Sequence, residues 1–242
     1  MDYSKISESI VKWINKKVTE AKCSGTVLGL SGGIDSSVVA VLCKKAFPDN
    51  TFGVIMPCES ESMDSEYAKR LAEEFEIPYT TVDLTDTYQT LLGAVSQNGT
   101  GESADILTKV NIKPRLRMTT LYYYAGLYNS LVIGTGNKTE IELGYYTKYG
   151  DGGVDIEPIG DLYKVEVKEL ARYLKIPEAI IERPPTAGLW EGQTDEDEMG
   201  FSYEQVDKYL KTGRGKAEVI DIIEHIRRKS DHKRKMPPVL KL

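Results

Sequence analysis

A glycine-rich turn that carries serine hydroxyls and one carboxylate is the part of this sequence best suited to chemistry. It reads Gly29-Leu30-Ser31-Gly32-Gly33-Ile34-Asp35-Ser36-Ser37 and follows the apolar run Thr26-Val27-Leu28. After it, Val38, Val41 and Leu42 recur at helical spacing. A strand, a tight turn and a helix in this order point backbone N–H groups and the positive helix end at one place. Such a place favours an anion, most often a phosphate.

The side chains of the turn indicate phosphate binding together with a metal ion. No lysine follows the glycines, so the turn does not match the Walker A motif. Serine hydroxyls can donate hydrogen bonds to phosphate oxygens, and Asp35 can bind the Mg²⁺ that a nucleotide carries. The alternative is an ordinary glycine turn in which Asp35 caps the helix.

Short apolar runs alternate with helical patterns along the chain, which predicts an α/β fold. The predicted strands are residues 26–31, 51–57, 79–84, 131–134 and 155–159. Amphipathic helical spacing lies between or after them, at 68–75, 121–128, 167–174 and 219–226. This order predicts a parallel sheet with helices on both faces. Ligands bind beyond the carboxyl ends of such strands, so Gly134-Thr135-Gly136-Asn137 should meet the glycine turn there.

Three other segments each have a structural and a functional interpretation. A long helix from Pro114 to Asn129 carries Tyr122, Tyr123, Tyr124 and Tyr128, which predicts either core packing or a subunit interface. Residues 184–200 show no helical or strand pattern and are either a solvated acidic loop or a mobile lid. The basic run at 227–235 is either a solvated helix end or a clamp for phosphates.

Composition narrows the class of protein. A chain of 242 residues with a net charge of −6 is long enough for one full core, and no general affinity for nucleic acid or membrane is implied. No apolar run approaches the roughly 18 residues of a membrane span. Cys23, Cys43 and Cys58 form no CxxC pair, which predicts a reduced, cytoplasmic protein without a zinc site.

The glycine turn resembles the pyrophosphate loop of the N-type ATP pyrophosphatases, which activate an oxygen of their substrate as an adenylate. Five further segments, in order along the chain, resemble the NAD synthetases of that superfamily. They are Lys113-Pro114-Arg115-Leu116-Arg117-Met118, Gly134-Thr135-Gly136-Asn137-Lys138-Thr139-Glu140, Tyr146-Thr147-Lys148-Tyr149-Gly150-Asp151-Gly152-Gly153, Pro185-Thr186-Ala187 and Asp231-His232-Lys233-Arg234. The resemblance implies an adenine nucleotide α-hydrolase-like fold, with residues 1–242 as one domain that includes a C-terminal helical segment.

The resemblance also implies a reaction. NAD synthetases join deamido-NAD (nicotinate adenine dinucleotide) to ammonia, using ATP and Mg²⁺, through an adenylated carboxylate. The products are NAD, AMP and pyrophosphate, in the last step of NAD biosynthesis. The family binds deamido-NAD at a homodimer interface, which suits the tyrosine-rich helix. The synthetase pattern uses nearly all of the chain, so we expect no glutaminase domain and the use of free or delivered ammonia.

Site residues follow from the resemblance position by position. Residues Gly29 to Ser36, with Thr135, Lys164 and Thr186, would contact ATP, and Asp35 and Glu140 would bind Mg²⁺. The residues that would contact deamido-NAD are Arg115, Lys148, Asp155, His232 and Lys233. The catalytic group would be Asp35, Glu140 and Lys164, because the metal and the lysine would offset the repulsion between two approaching anions. Asp151 and Asp155 are candidates for deprotonating ammonium.

Simpler interpretations stay open for several of these residues. Glu140 could be a helix-start carboxylate, Lys164 a surface lysine, Asp155 a turn cap and His232 part of a solvated tail. Where many bacterial relatives have an acidic or histidine pair after Gly-Thr, this chain has Gly136-Asn137, and residues 189–193 are unlike their longer lids. Two other functions also remain: a different ATP-pyrophosphatase amidotransferase, such as a GMP synthetase subunit, and a non-catalytic ATP-binding module.

Overall fold

A computed structural model describes residues 1–60, 62–96, 104–184 and 195–241. The strands are β1 (Gly25–Gly29), β2 (Thr51–Ile55), β3 (Tyr79–Thr81) and β4 (Ser130–Val132). The first helices are α1 (Tyr3–Glu20), α2 (Ile34–Ala46), α3 (Ser62–Glu74), α4 (Thr85–Ser96), α5 (Ile106–Val110) and α6 (Ile112–Tyr128). The later helices are α7 (Lys138–Leu143), α8 (Lys164–Tyr173), α9 (Glu178–Ile181), α10 (Asp195–Met199), α11 (Tyr203–Thr212) and α12 (Ala217–Ser230).

The four strands form one parallel sheet in the order β3-β2-β1-β4. The predicted parallel sheet is thereby confirmed, although each strand is shorter than predicted. The fifth predicted strand, at 155–159, is wrong: only the bridge between Ile133 and Ile156 forms. Pro158 has no N–H with which to extend the ladder, and the chain turns where the Gly160 N–H donates to the Glu157 carbonyl oxygen.

Successive strand residues point to opposite faces of the sheet. Apolar residues therefore lie on both faces, and helices cover each of them. On one face Leu28 packs with apolar residues of α1, α2 and α8, and on the other Val27 packs with residues of α4 and α6. A separate apolar cluster joins α7, α11 and α12 around Ile223, which confirms the C-terminal helical segment. No helix in the described ranges has the length and apolar character that crossing a bilayer requires.

The structure shows the conformation of α6 and of the described end of residues 184–200, two segments for which the sequence left alternatives open. Helix α6 begins near Pro114, as predicted, and ends where Asn129 adopts a left-handed conformation with φ of 48°. Along it, Tyr124 and Tyr128 pack against Phe52, although Tyr128 is also partly exposed. Tyr122, Tyr123 and Leu127 are exposed as well, so core packing does not account for all of the tyrosines. The expectation of no helix within 184–200 is wrong for its described end, where α10 forms and buries Asp195.

Candidate active site

The glycine turn is fixed in shape by its own hydroxyls. The Ser31 and Ser36 hydroxyl oxygens are 2.9 Å apart, and the Ser36 and Ser37 hydroxyls donate to the Gly33 carbonyl oxygen at 3.0 and 2.8 Å. Gly32 has a φ of 77°, and a Cβ there would lie 2.3 Å from the Asp64 carbonyl oxygen. Only glycine fits this position, because it has no Cβ and tolerates the positive φ. Gly32 therefore lets the backbone of the turn pass close to Asp64 before α2 begins.

Asp35 is not the helix cap that the simpler interpretation expected. The N-cap of α2 is Gly33, without a side-chain bond, and Asp35 lies in the first turn. Its carboxylate accepts hydrogen bonds at 2.5 Å from the Lys164 ammonium and at 2.9 Å from the Asn137 side-chain amide. Asp35 is therefore directed across the sheet edge toward α7 and α8.

Lys164, Asp35 and Glu140 form a charged group at the carboxyl ends of β1 and β4. The Lys164 ammonium lies 2.5 Å from Asp35 and 3.3 Å from Glu140, and its side chain is 8% exposed. The surface-lysine interpretation of Lys164 is thus wrong. Glu140 contacts Lys164 and is also a helix-start residue, since it shares a capping box with Asn137. The sequence contains this Asn-x-x-Glu signal, yet the role of Asn137 was not predicted from it.

The charges of this group are strongly coupled. Burial, with the nearby charge of Asp35, raises the pKa of Glu140 to about 8, although Lys164 acts in the opposite direction. Burial disfavours the ammonium of Lys164, but Asp35 and Glu140 outweigh it and raise the pKa of Lys164. When all three are ionised, two carboxylates surround one ammonium. This excess negative charge favours the approach of a further cation.

A cavity of about 440 Å³ opens beside the charged group. Of the predicted site residues, it is lined by Gly29, Leu30, Ser31, Gly33, Ile34, Asp35, Ser36, Thr135, Glu140, Lys164 and Lys233. It is not lined by Gly32, Arg115, Lys148, Asp155 or His232. The predicted ATP contact Thr186 lies outside the described residues. The structure thus brings most of the predicted ATP residues and both predicted metal ligands together, and it places most of the residues predicted for deamido-NAD away from the cavity.

Three of the separated residues form a cluster of their own. The Lys148 ammonium donates to the His232 carbonyl oxygen at 2.8 Å, and Arg115 donates to the Lys148 carbonyl oxygen at 3.4 Å. Beside them, Lys233 lines the cavity and donates to the carbonyl oxygens of Gly144 and Tyr146 at 2.8 and 2.6 Å. The basic tail is therefore attached to the cavity through Lys233, while the His232 side chain is exposed.

Asp155 lies on the side of the tyrosine helix. Its carboxylate accepts the Val132 N–H at 2.8 Å and the Tyr122 hydroxyl at 3.1 Å. The Val132 N–H belongs to β4, so Asp155 binds the end of a strand rather than the turn that the capping interpretation expected. Asp151, the other acid predicted near ammonia, lines the cavity and accepts the Thr147 N–H at 2.9 Å. The protein around it raises the pKa of its carboxyl by desolvation.

Two further acids near the site were missed from the sequence. Asp195 of α10 lines the cavity and accepts the Tyr203 hydroxyl at 2.8 Å, and burial raises its pKa. Glu157 accepts the Gly136 N–H at 2.9 Å, and its carboxyl fills the space that a Cβ on Gly134 would need. Burial raises the pKa of Glu157 to about 8. Neither residue belongs to a local pattern, because tertiary packing alone brings each to the site.

Comparison with known proteins identifies the family that this chain resembles. The family described as NAD synthase matches residues 6–237. An NH(3)-dependent NAD(+) synthetase from Carboxydothermus hydrogenoformans is 52% identical over 239 residues, covering 99% of this chain and 98% of that protein.

Solved structures agree in fold over the whole chain. The NMN synthetase from Francisella tularensis superposes with a TM-score of 0.95 at 37% identity, covering 100% of both chains. The NH3-dependent NAD synthetase from Campylobacter jejuni superposes with a TM-score of 0.82 at 36% identity, also covering 100% of both chains. With a buried lysine and two carboxylates at a glycine turn, and with relatives this similar along their full length, the chain belongs to the NAD synthase family.

Proposed function

We propose that this protein catalyses the ATP-dependent amidation of deamido-NAD by ammonia, which yields NAD, AMP and pyrophosphate. The observation that carries the proposal is the buried Lys164 ammonium, paired with the half-buried carboxylates of Asp35 and Glu140 beside the glycine turn, in a chain of the NAD synthase family. The relatives that share about half of its residues are named for use of ammonia, so the nitrogen donor we propose is ammonia itself.

Asp35 and Glu140 suit Mg²⁺ by their chemistry. Mg²⁺ is usually bound in nucleotide sites by one or two carboxylates together with phosphate oxygens and water. Both carboxylates line the cavity next to the turn that would hold the phosphates. When bound, the ion would supply a positive charge that stabilises the departing pyrophosphate. Such a charge also favours ionisation of Glu140, whose pKa is raised to about 8 without it.

The residues of the site account for the first step. An oxygen of the substrate carboxylate attacks the α-phosphorus of ATP, and the bond to the pyrophosphate oxygen breaks. The turn orients the phosphates through its backbone N–H groups. Lys164 is already positioned by Asp35 and Glu140, so its charge costs little reorganisation when negative charge develops nearby.

The second step needs a neutral nitrogen. Ammonia attacks the carbonyl carbon of the adenylate, AMP leaves with the electron pair of the broken bond, and the attacking nitrogen loses a proton. Of the two acids considered for deprotonating ammonium, we favour Asp151, because it lines the cavity and Asp155 does not. Desolvation raises the pKa of Asp151, which makes its carboxylate a better proton acceptor.

We also propose that the protein acts as a homodimer through the exposed face of α6. Tyr122, Tyr123, Leu127 and Tyr128 are exposed there, and Asp155 is hydrogen-bonded to Tyr122 on the same side. Contact between two copies would bury this face and bring Asp155 near the second subunit. Its predicted contact with deamido-NAD would then occur at the interface. The free thiols of Cys23, Cys43 and Cys58 accord with the reduced, cytoplasmic location that we propose.

A second substrate is favoured by one observation. The NMN synthetase from Francisella tularensis superposes with a TM-score of 0.95, above the 0.82 of the Campylobacter jejuni NAD synthetase. We therefore consider amidation of nicotinate mononucleotide as the alternative. It uses the same adenylation chemistry on a smaller acid, so the pocket rather than the reaction would distinguish the two.

Product analysis by mass spectrometry tests both proposals. The protein is mixed with ATP, Mg²⁺, ammonium and an equimolar mixture of deamido-NAD and nicotinate mononucleotide, with Asp35→Asn as the control. We expect NAD and AMP in equal amounts, with little NMN. NMN as the main product would establish the alternative. In a parallel mixture with XMP as the acid, AMP release would indicate a GMP synthetase-like enzyme. The absence of AMP with all three acids would indicate an ATP-binding module.

A further inference from the structure

One wall of the cavity is a face of α6 that carries a single cation. Pro114, Arg117, Met118 and Leu121 line the cavity at the helical spacing i, i+3, i+4 and i+7. Arg115 is two residues from Arg117, about 200° around the helix, and its side chain is exposed. The two arginines of this segment therefore face different environments, and only Arg117 reaches the cavity.

The guanidinium of Arg117 is fixed by neutral groups. Its Nε donates to the Met56 carbonyl oxygen at 3.2 Å, and its Nη2 donates to the Ser60 hydroxyl at 3.1 Å. Met56 directly follows β2, so these bonds hold the side chain at the carboxyl edge of the sheet. A guanidinium has five N–H donors in a rigid fork, and these two bonds leave donors available on the cavity side.

The other cations that line the cavity are paired with carboxylates or use their donors on backbone carbonyl oxygens. Lys164 has two carboxylate partners, and Arg183 is paired with Asp64 at 2.6 Å. Lys233 is held by two backbone carbonyl oxygens. Within the described parts of the chain, Arg117 has no carboxylate at ion-pair distance. Desolvation lowers the pKa of Arg117, while Cys58, Asp151 and Asp64 act in the opposite direction without reversing it.

A partly buried charge without a carboxylate partner is costly to the folded protein, so the position of Arg117 in the cavity favours an anion from outside. We propose that Arg117 binds an anionic oxygen of the reacting pair, which is either the α-phosphate of ATP or the carboxylate that attacks it. This inference rests on the proposed amidation reaction. A guanidinium can bind either group with two parallel hydrogen bonds.

The charge distribution explains why such a residue is needed. Asp35, Glu140 and Lys164 together carry a net charge of −1 when ionised. This group can neutralise the departing pyrophosphate of ATP only together with a metal ion. It also offers no excess positive charge to the carboxylate that attacks the α-phosphate. Arg117 provides that charge from the opposite side, on the wall formed by α6. It would therefore reduce the repulsion between carboxylate and phosphate as they approach.

The test compares Arg117→Met and Arg117→Lys with Arg172→Met, a control on an exposed arginine of α8. The readouts are ATP–pyrophosphate exchange dependent on deamido-NAD, the Kd of each substrate by calorimetry, and the Tm. We expect Arg117→Met to lose about 10²- to 10³-fold in exchange, as removal of an oxyanion donor does. Arg117→Lys should recover part of the loss, and Arg172→Met should match the wild type.

The Tm separates a ligand-binding role from a structural one. Arg117→Met removes a charge that has no carboxylate partner, which offsets the loss of its two hydrogen bonds, so we expect its Tm to stay close to that of the wild type. Weaker binding of ATP alone would assign Arg117 to the phosphate, and weaker binding of deamido-NAD alone would assign it to the carboxylate. Unchanged Kd values for both ligands would overturn the proposal, even if the wild type proved inactive in exchange. A loss of exchange together with a lower Tm in both variants would also overturn it.

Discussion

The buried carboxyl of Glu157 predicts that the stability of this protein depends on pH in an unusual direction. Its pKa is raised from 4.5 to about 8 by burial, and the charges of Glu140 and Asp151 add to this effect. A folded-state pKa above the unfolded value means that the folded protein holds a proton which the unfolded chain has released. This residue therefore lowers stability progressively as the pH rises from about 4.5 to about 8.

The size of the effect follows from the shift. One pKa unit corresponds to about 1.4 kcal/mol. At pH 7 the carboxyl is ionised in the unfolded chain but protonated in the folded protein, and this difference lowers the free energy of unfolding by roughly 3 kcal/mol. Replacement of Glu157 by glutamine removes the titration and keeps a side-chain oxygen that can accept the Gly136 N–H. Glu157→Gln should therefore raise the free energy of unfolding by roughly 3 kcal/mol at pH 7 and by little at pH 5.

Urea unfolding at pH 5, 6.5 and 8 measures this difference. The matched control is Glu66→Gln, which changes an exposed glutamate on α3 and should leave the free energy of unfolding within about 0.5 kcal/mol at each pH. The reasoning is refuted if the gain from Glu157→Gln does not increase between pH 5 and pH 8, or if the variant is less stable than the wild type at pH 8.

Three further predictions concern the site itself. Asp35→Asn should reduce AMP formation by about 10²-fold or more while weakening ATP binding less, because it removes a proposed metal ligand and leaves the glycine turn; normal turnover would contradict this. Lys233→Ala should raise the KM for deamido-NAD more than that for ATP in steady-state assays, and an effect confined to ATP would oppose our placement of the tail. Gly32→Ala should lower both the Tm and the affinity for ATP, because its Cβ would lie 2.3 Å from the Asp64 carbonyl oxygen. In thermal melts and calorimetry, the control Gly213→Ala, with a similar φ but open space, should keep its ATP affinity.

The fold could be predicted where local patterns are strong. The apolar run before the glycine turn and the spacing of residues 121–128 correspond to β1 and α6. Residues 155–159 failed as a strand because Pro158 ends the pairing, although Ile159 is buried and Ile156 partly buried as a strand would require. Helix α10 was missed because its acidic sequence has no apolar periodicity, and contacts of Asp195 with Tyr145 and Tyr203 hold it in place.

The site was predictable to the extent that it resides in contiguous motifs. The glycine turn and Glu140 could be found because each is part of a short pattern. The role of Arg117 was not predicted, although it lies within a recognised segment, because the sequence does not show which of two arginines faces the cavity. Glu157 carries no signal at all, since the space for its carboxyl depends on Gly134 and Gly136, which are distant from it in sequence.

The contact between Lys164 and Asp35 joins residues that are 129 positions apart. Contacts of such long range form late, because the chain between them must first lose its conformational freedom. During synthesis, the glycine turn is made well before α8. An incomplete chain therefore has the glycine turn without Lys164. The Lys164–Asp35 ion pair can therefore form only after α8 has been synthesised and has packed against the rest of the domain. We expect a nascent chain that stops before α8 to be unable to cleave ATP.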